Sequence, residues 1–475
     1  MDHVDALYLG GGWVAPASSR RIEVENPATE EMVAQVPEAV ADDVDHAVAA
    51  ARDGLDRWSG LSRADRAEHL AELHRVLRTR AGELAALITT EMGAPATVAA
   101  NIQVDLPLRV LQSYIDMLRE PEEPVRIANS LVYQEPVGVV AAITPWNYPL
   151  HQAMAKVAAA MAAGCTVVHK PSELAPLSAY LLAEAADQAG LPAGCYNLVP
   201  GLGPVAGEVL VSHPQVDMIS FTGSTAAGRR IGVLAAQGVK RVALELGGKS
   251  ANVALLDADL TAAVKVGVAN CLLNSGQTCT AWTRLVVPAQ RQEEAVDLAV
   301  AAMARYRPGD PTDPATRLGP LVSAAQRDRV LGYLAKGEAE GARLVVDGRV
   351  DLPERGYYLG PTLFAGVDPG ATIAQEEIFG PVLSIIPYAD EADALRIANA
   401  TRYGLAGSVW SADLDRAIAF ARRMRTGQVD INGAKFNHLA PFGGYRESGH
   451  GRELGPFGYA EFCQLKSIQT PGGPA

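Results

Sequence analysis

The sequence predicts an α/β protein organised around doubly wound sheets, and three observations carry that expectation. From Val137 onward, short β-branched runs alternate with alanine-rich, helix-length stretches and glycine turns. The runs are mostly apolar, as strands buried on both faces must be. The alternation occurs twice, before and after Gly248, which implies two α/β units with a ligand-binding cleft between them. At 475 residues the chain is long enough for two or three domains with a substantial core.

Taken in order, the first elements are helical. Val44, Ala47, Val48, Ala51 and Leu55 recur at three- and four-residue spacing, as do Leu70, Leu73, Leu77, Leu84, Leu87 and Ile88. Ser62 suits the cap of the second stripe and Gly93 its end, and both stripes read as core-facing. Strands are expected at Val137 to Ile143, Thr166 to His169, Tyr196 to Val199, Met218 to Phe221 and Val242 to Leu246, with helices at Leu177 to Ala189 and Ala226 to Ala236. After Gly248, Ala251 to Leu256 reads as a strand and Leu260 to Leu273 as a helix. The longest uncharged stretch, Pro136 to Ala155, is interrupted by Pro145 and Pro149 and reads as a buried strand leading into a loop, not as a membrane span.

Charge and cysteine usage exclude several function classes. There are 54 acidic against 41 basic side chains, a formal charge of −13, and no dense basic run to bind a phosphate backbone, so nucleic acid is not an expected partner. The five cysteines are scattered, with no CxxC pair and no zinc-type spacing, so no metal is expected and a reducing cytoplasm fits. The acidic segment Met1 to Asp5 lacks the basic-then-apolar pattern of a signal peptide, which again points to the cytoplasm.

Several segments could do chemistry. Most cysteines are small buried hydrophobes, but Cys279 lies in the polar, glycine-containing run Asn274 to Thr280, which suits an approachable thiol. Cys165, Cys195, Cys271 and Cys463 lie in apolar or strand-like settings and read as structural. Glu245, between Leu244 and Leu246 and just before Gly247-Gly248, is either a solvated residue of an edge strand or a desolvated base in mid-sheet. Gly223 to Gly228 has the strand, glycine turn, helix context of a phosphate site, though not the dinucleotide fingerprint. Asn147, between Pro145 and Pro149, is either a turn residue or an amide able to donate to an oxyanion. Gly223, Gly247, Gly248 and Gly276 read as serving backbone geometry, and Lys156 and Lys249 as structural or electrostatic.

Read together, Pro145 to Pro149, Lys170-Pro171-Ser172-Glu173, Phe221 to Ser224, Glu245 to Lys249, Gly276 to Cys279, Glu377 to Pro381 and Pro441 to Gly444 closely resemble the NAD(P)-dependent aldehyde dehydrogenase superfamily. They occur in that family's order across nearly the whole chain. The resemblance implies a Rossmann-type cofactor domain, an α/β catalytic domain and a small β oligomerisation arm. It implies that Cys279 attacks the aldehyde to give a thiohemiacetal whose oxyanion is held by the Asn147 amide and the Cys279 backbone N–H. Hydride then leaves for the nicotinamide, and Glu245 activates the water that hydrolyses the resulting thioester.

The same resemblance puts Lys170 and Glu173 at the adenosine ribose, Ser224 and Trp146 at the pyrophosphate, Glu377 at the nicotinamide ribose and Phe379 against the nicotinamide. A carboxylate at Glu173 accepts from ribose hydroxyls and repels a 2′-phosphate, so NAD is expected ahead of NADP. Tyr148, Gln152, Ala155, Thr278, Thr280, Phe436 and Phe442 fall on the family's substrate funnel. Ala155 stands where some relatives carry a bulky aromatic and is expected to widen the channel. No arginine is expected to clamp a substrate carboxylate, although Arg284 or His438 lying close would change that reading.

The funnel therefore points to a medium aliphatic or aromatic aldehyde as the small-molecule partner. Competing readings are a semialdehyde dehydrogenase with an acidic substrate, a CoA-acylating enzyme, whose known relatives lack the glutamate present at Glu245, and a non-catalytic protein retaining the fold. The expected cofactor domain spans 1–117 and 137–247, the catalytic domain 248–447, and the arm 118–136 and 462–472. Ser130 to Gln134 and Glu461 to Lys466 alternate as strands do, and their edges call for a homodimer or homotetramer.

Overall fold

The strands divide chiefly between two sheets. The first has eight strands in the order Gly449–His450, Arg241–Glu245, Met218–Thr222, Val139–Ile143, Thr166–Lys170, Tyr196–Leu198, Leu7–Leu9, Gly12–Val14. Its five central strands are parallel, and the terminal additions on both sides are antiparallel. The second has seven strands in the order Arg343–Val346, Thr362–Ala365, Val382–Tyr388, Arg284–Pro288, Ala251–Ala254, Gly407–Trp410, Asp430–Ile431, all parallel except the first pair. The computed structural model describes residues 3–471; residues 1–2 and 472–475, including the last residue of the expected arm, lie outside the described residues.

Side chains alternate across a strand, so a sheet covered on both faces feeds two separate cores. Val140 and Ala142 pack with Leu70, Leu111 and Tyr180, from helices Arg63–Thr79, Asp105–Arg119 and Leu177–Gln188. Their neighbours Val139, Ala141 and Ile143 pack on the other side with Val44 of helix Ala41–Ser59 and Ile231 of helix Thr225–Gln237. The second sheet repeats the pattern, Val253 facing helices Ala324–Ala339 and Glu391–Ala398, and Ala254 facing helices Leu260–Leu272 and Gln292–Met303. This is the doubly wound arrangement expected from the alternation.

Some local expectations need correction. The run after Pro145 does not end in a loop: Pro149–Ala163 is a helix, started by Pro149 with its preset φ, and every residue in it except His151 is buried. The stripe from Ser62 to Gly93 is two helices, Arg63–Thr79 and Ala81–Met92, broken at Arg80 (φ −102°, ψ 12°). Ser62 does cap the first, accepting from Asp65 N–H, and Gly93 ends the second at φ 77°.

Cys463–Gln469, Ser130–Pro136 and Val125–Ile127 form a separate three-stranded antiparallel sheet. It leaves Leu465, Val125 and Ile127 more than half exposed. No helix among the described residues is long and apolar enough to cross a membrane.

Candidate active site

Parallel strands deliver their carboxyl ends to one side of a sheet, and ligands collect there. Here those ends are Ile143, Lys170, Thr222 and Glu245, and each is followed by one of the segments singled out above. Gly223 N–H closes two of them together by donating to the Glu245 carbonyl at 3.0 Å.

Cys279 is presented by a tight turn after helix Leu260–Leu272. Asn274, Ser275 and Gly276 all take left-handed backbone, at φ 56°, 58° and 74°. Two non-glycine residues in that region cost about 1–2 kcal/mol each, so side-chain bonds must hold them. Ser275 Oγ donates to the Gly319 carbonyl at 2.8 Å, and Asn274 Nδ2 donates to the Asn147 carbonyl at 2.9 Å. Gln277 is buried, donating to the Asn274 carbonyl and accepting from Val322 N–H. A side chain at Gly276 would bring a Cβ to 2.1 Å from the Gly380 carbonyl oxygen, so only glycine fits.

Asn147 Nδ2 donates to the Gln277 carbonyl at 2.9 Å, which fixes its amide against the Cys279 turn and leaves a second N–H. Cys279 is partly exposed, whereas Cys165, Cys195, Cys271 and Cys463 are buried. Burial pushes the Cys279 thiol well up, and the charges of Glu377 and Glu245 add to the shift. At rest it is a thiol that needs a base.

Glu245 is not on an edge. Its strand is flanked by Met218–Thr222 and by Gly449–His450, pairing with Thr222 on one side and Gly449 on the other. Both carboxylate oxygens are buried without a partner, and burial, then the charge of Glu453, raises its pKa well above the carboxylate range. Lys156, wholly buried, is hydrogen-bonded to Thr222 and ion-paired with Glu453, and its charge pulls Glu245 the other way. Lys156 is thus part of the local electrostatics. Lys249 is buried with no partner on its Nζ, and burial lowers its pKa to about 7.

One cleft is lined by Trp146, Asn147, Ser224, Gly247, Cys279, Glu377 and Phe379, among others. Trp146 and Phe379 meet edge to face at 5.4 Å. Ser224, on the cleft wall, caps helix Thr225–Gln237 by accepting from Ala227 N–H, so the start of that helix, where N–H groups lack intrahelical acceptors, adjoins the cleft. Glu377 accepts from Gly248 N–H at 2.9 Å, and burial raises its pKa to about 7. A Cβ at Gly247 would stand 2.4 Å from Glu377 Oε2, so a larger residue there would displace the Glu377 carboxylate. These features fit an extended dinucleotide. Lys170 and Glu173 lie outside the walls of this cleft: buried Lys170 donates to the Pro171 and Gly201 carbonyls, and half-exposed Glu173 is 3.8 Å from its ammonium.

A second cavity, about 660 Å³, opens on the other side of Cys279. Tyr148, Gln152, Thr278, Thr280, Phe436 and Phe442 line it, with Tyr148 Oη hydrogen-bonded to Thr278 Oγ1 and the two phenylalanines edge to face at 6.2 Å. Ala155 does not: it is buried in the apolar core beneath helix Pro149–Ala163, so its small side chain widens nothing. His438, whose approach would reopen the question of a carboxylate clamp, does line the cavity, and so does one arginine. Arg109 lines the cavity, though it is half exposed and ion-paired with Asp105 at 3.1 Å; Lys435 and His438 lie on the same wall. Arg284 is elsewhere, donating to the Lys249, Ile397 and Ala398 carbonyls.

Asn101, Ile102 and Leu106 were not anticipated as wall residues. They precede or begin the amphipathic helix Asp105–Arg119, where no local motif marks a cavity, and only a polar Asn101 within an apolar stretch hints at one. Among the described residues no cluster of His, Cys, Asp and Glu is arranged to hold a metal.

Residues 13–468 match the aldehyde dehydrogenase family. The chain belongs to that family. It is 47% identical over 465 residues to a 3-succinoylsemialdehyde-pyridine dehydrogenase from a Pseudomonas species, covering 97% of this chain and 98% of the relative. It is 45% identical to geranial dehydrogenase from Castellaniella defragrans, covering 99% and 100%. Among solved structures, a cysteine-to-alanine variant of aldehyde dehydrogenase C from Pseudomonas syringae, complexed with NAD+ and octanal, superposes with a TM-score of 0.98 at 46% identity, covering 100% of this chain and 98% of that one. This aldehyde dehydrogenase therefore has the family's α/β architecture of two mixed sheets with a small antiparallel arm.

Proposed function

We propose that this aldehyde dehydrogenase oxidises a medium-length aliphatic or an aromatic aldehyde to the carboxylic acid, with NAD taking the hydride. The observation that carries the reading is that Cys279 lines both the cofactor cleft and the aldehyde cavity, so a carbonyl carbon bonded to its sulfur stands between the two. Cys279, partly exposed at the cavity, passes its proton to solvent water and attacks as the thiolate, the Asn147 amide and the Cys279 N–H hold the oxyanion, and Glu245 takes a proton from the water that releases the acid. NAD supplies the hydride acceptor. Ser224 and Trp146 would hold its pyrophosphate, Glu377 the nicotinamide ribose, Phe379 the ring edge, and Lys170 and Glu173 the adenosine ribose, with Glu173 disfavouring NADP.

The relatives named for geranial and the structure holding octanal support a neutral, extended substrate, as does the aromatic wall of Phe436 and Phe442. A second reading, a semialdehyde with an acidic far end, is favoured by Arg109, Lys435 and His438 on that wall. A residual charge pair, Arg109 with Asp105, already uses one of these cations.

The test is NADH formation across octanal, benzaldehyde and succinic semialdehyde, with NAD and NADP in parallel and Cys279→Ala as control. Cys279→Ala is expected to lower turnover at least about a thousand-fold while NAD still binds. Full turnover by Cys279→Ala sinks the mechanism, and preference for succinic semialdehyde selects the second reading. We also propose the division into cofactor segments 1–117 and 137–247, catalytic segment 248–447 and arm, a cytoplasmic location, and a homodimer or homotetramer joined through the exposed Leu465 and Val125 sheet. Sedimentation as a monomer at micromolar concentration would count against the assembly.

A further inference from the structure

Ala99–Val104 forms a π-helical turn leading into helix Asp105–Arg119. Such turns widen a helix and re-aim its side chains, and they recur at functional sites. Asn101 and Ile102 face the aldehyde cavity, while the next residue, Gln103, is 0% exposed and turned into the protein.

Gln103 Nε2 donates to Asn274 Oδ1 at 3.2 Å. Asn274 Nδ2 in turn donates to the carbonyls of Asn147, at 2.9 Å, and Gln277, at 3.4 Å. Two carbonyl acceptors on one side settle which end of the Asn274 amide is nitrogen, so its oxygen faces Gln103 and only a donor satisfies it. Gln103 Oε1 has no hydrogen-bond partner. A buried acceptor left unpaired costs stability, and an apolar side chain would remove that cost only by orphaning Asn274 Oδ1, so the bond to Asn274 is what the amide supplies. Asn274, held in left-handed backbone at φ 56°, depends on its side-chain bonds to stay in place.

We propose that Gln103 is a positioning residue for the oxyanion amide: by clamping Asn274 it fixes the Asn147 backbone from which that amide projects. It touches neither substrate nor cofactor walls and acts only through Asn274. The inference rests on the reading of Asn147 as oxyanion donor and Cys279 as nucleophile.

The experiment uses the full chain carrying Gln103→Leu or Gln103→Glu, assayed for octanal oxidation with NAD and for alkylation of Cys279 by iodoacetamide. Alkylation joins sulfur to carbon and expels iodide, with no oxyanion formed. Gln103→Leu is expected to lower kcat about ten-fold with KM within about two-fold and alkylation unchanged. Gln103→Glu can donate to Asn274 only while protonated, so its kcat relative to the unsubstituted enzyme should fall as pH rises.

An unchanged kcat in Gln103→Leu, alkylation slowed in the same proportion, or a Gln103→Glu ratio flat with pH each overturns the proposal. Should Gln103→Leu fail to fold, the Gln103→Glu pH profile decides alone. Asn147→Ala separates the two levels: if it keeps full kcat, the oxyanion reading is at fault and not the placement of Gln103.

Discussion

The cofactor cleft and the aldehyde cavity meet at Cys279 but are built in different ways. Walls of the cleft are turns at strand ends: Trp146 after Val139–Ile143, Ser224 after Met218–Thr222, Gly247 after Arg241–Glu245. Their positions are inherited from a hydrogen-bonded parallel ladder. The cavity is walled chiefly by side chains from a π-helical turn, three helices and the loop from Gly433 to Phe442. Side chains there can be exchanged without disturbing the sheet, so reaction chemistry is anchored where the backbone is least free to move and selectivity where it is most replaceable.

The largest expected effect belongs to Glu245, whose charge acts on Cys279 where the two regions meet. Glu245→Gln keeps the shape but removes the base, and kcat should fall about 10²–10⁴-fold. Hydride transfer precedes the attack of water, so rapid mixing should still show a fast first turnover of NADH. Loss of that burst would mean Glu245 is also needed for the thiol, and the division between steps would have to be redrawn.

Phe442→Ala probes the cavity alone. It should lower kcat/KM for octanal about ten-fold, the scale of losing one apolar contact surface, while propanal and the KM for NAD move less than about two-fold. An equal loss for propanal would show that Phe442 supports the reacting centre and not the tail.

The smallest effect belongs to the cleft. Burial raises Glu377 to about 7, and its ionised form accepts hydrogen bonds from ribose hydroxyls while the protonated form competes as a donor. The KM for NAD should therefore fall roughly three-fold as pH rises through about 7, and Glu377→Gln should flatten that dependence. A KM for NAD independent of pH in the unsubstituted enzyme would remove Glu377 from ribose binding.

The same contrast explains what was legible in the sequence. Asn147, Ser224 and Cys279 on the cleft wall, and the buried Glu245, sit beside strand ends or glycines and are marked by their immediate neighbours. The ambiguity over Glu245 was of another kind, because the strand that makes it interior, Gly449–His450, lies about two hundred residues away in sequence. Cavity walls carry no such local mark. Arg109 stands on an amphipathic helix whose buried face, Leu108, Leu111 and Ile115, reads as ordinary core packing, and only tertiary structure turns its other side toward the aldehyde. Ala155 differs for the opposite reason: its expected place on the funnel rests on resemblance to relatives, whereas helix Pro149–Ala163, buried on nearly all sides, turns it into the core.

The two-residue strand Gly449–His450 also sets a schedule for biosynthesis. Glu245 and Leu244 leave the ribosome with one side of their strand open, and Ser448 to His450, which cover it, follow only about two hundred residues later. At ordinary elongation rates that interval is roughly 10–40 s. For that time the nascent chain carries an unpaired parallel-sheet edge of the kind that seeds aggregation, so yield from rapid expression should depend on how well this edge is shielded before Ser448 to His450 arrive.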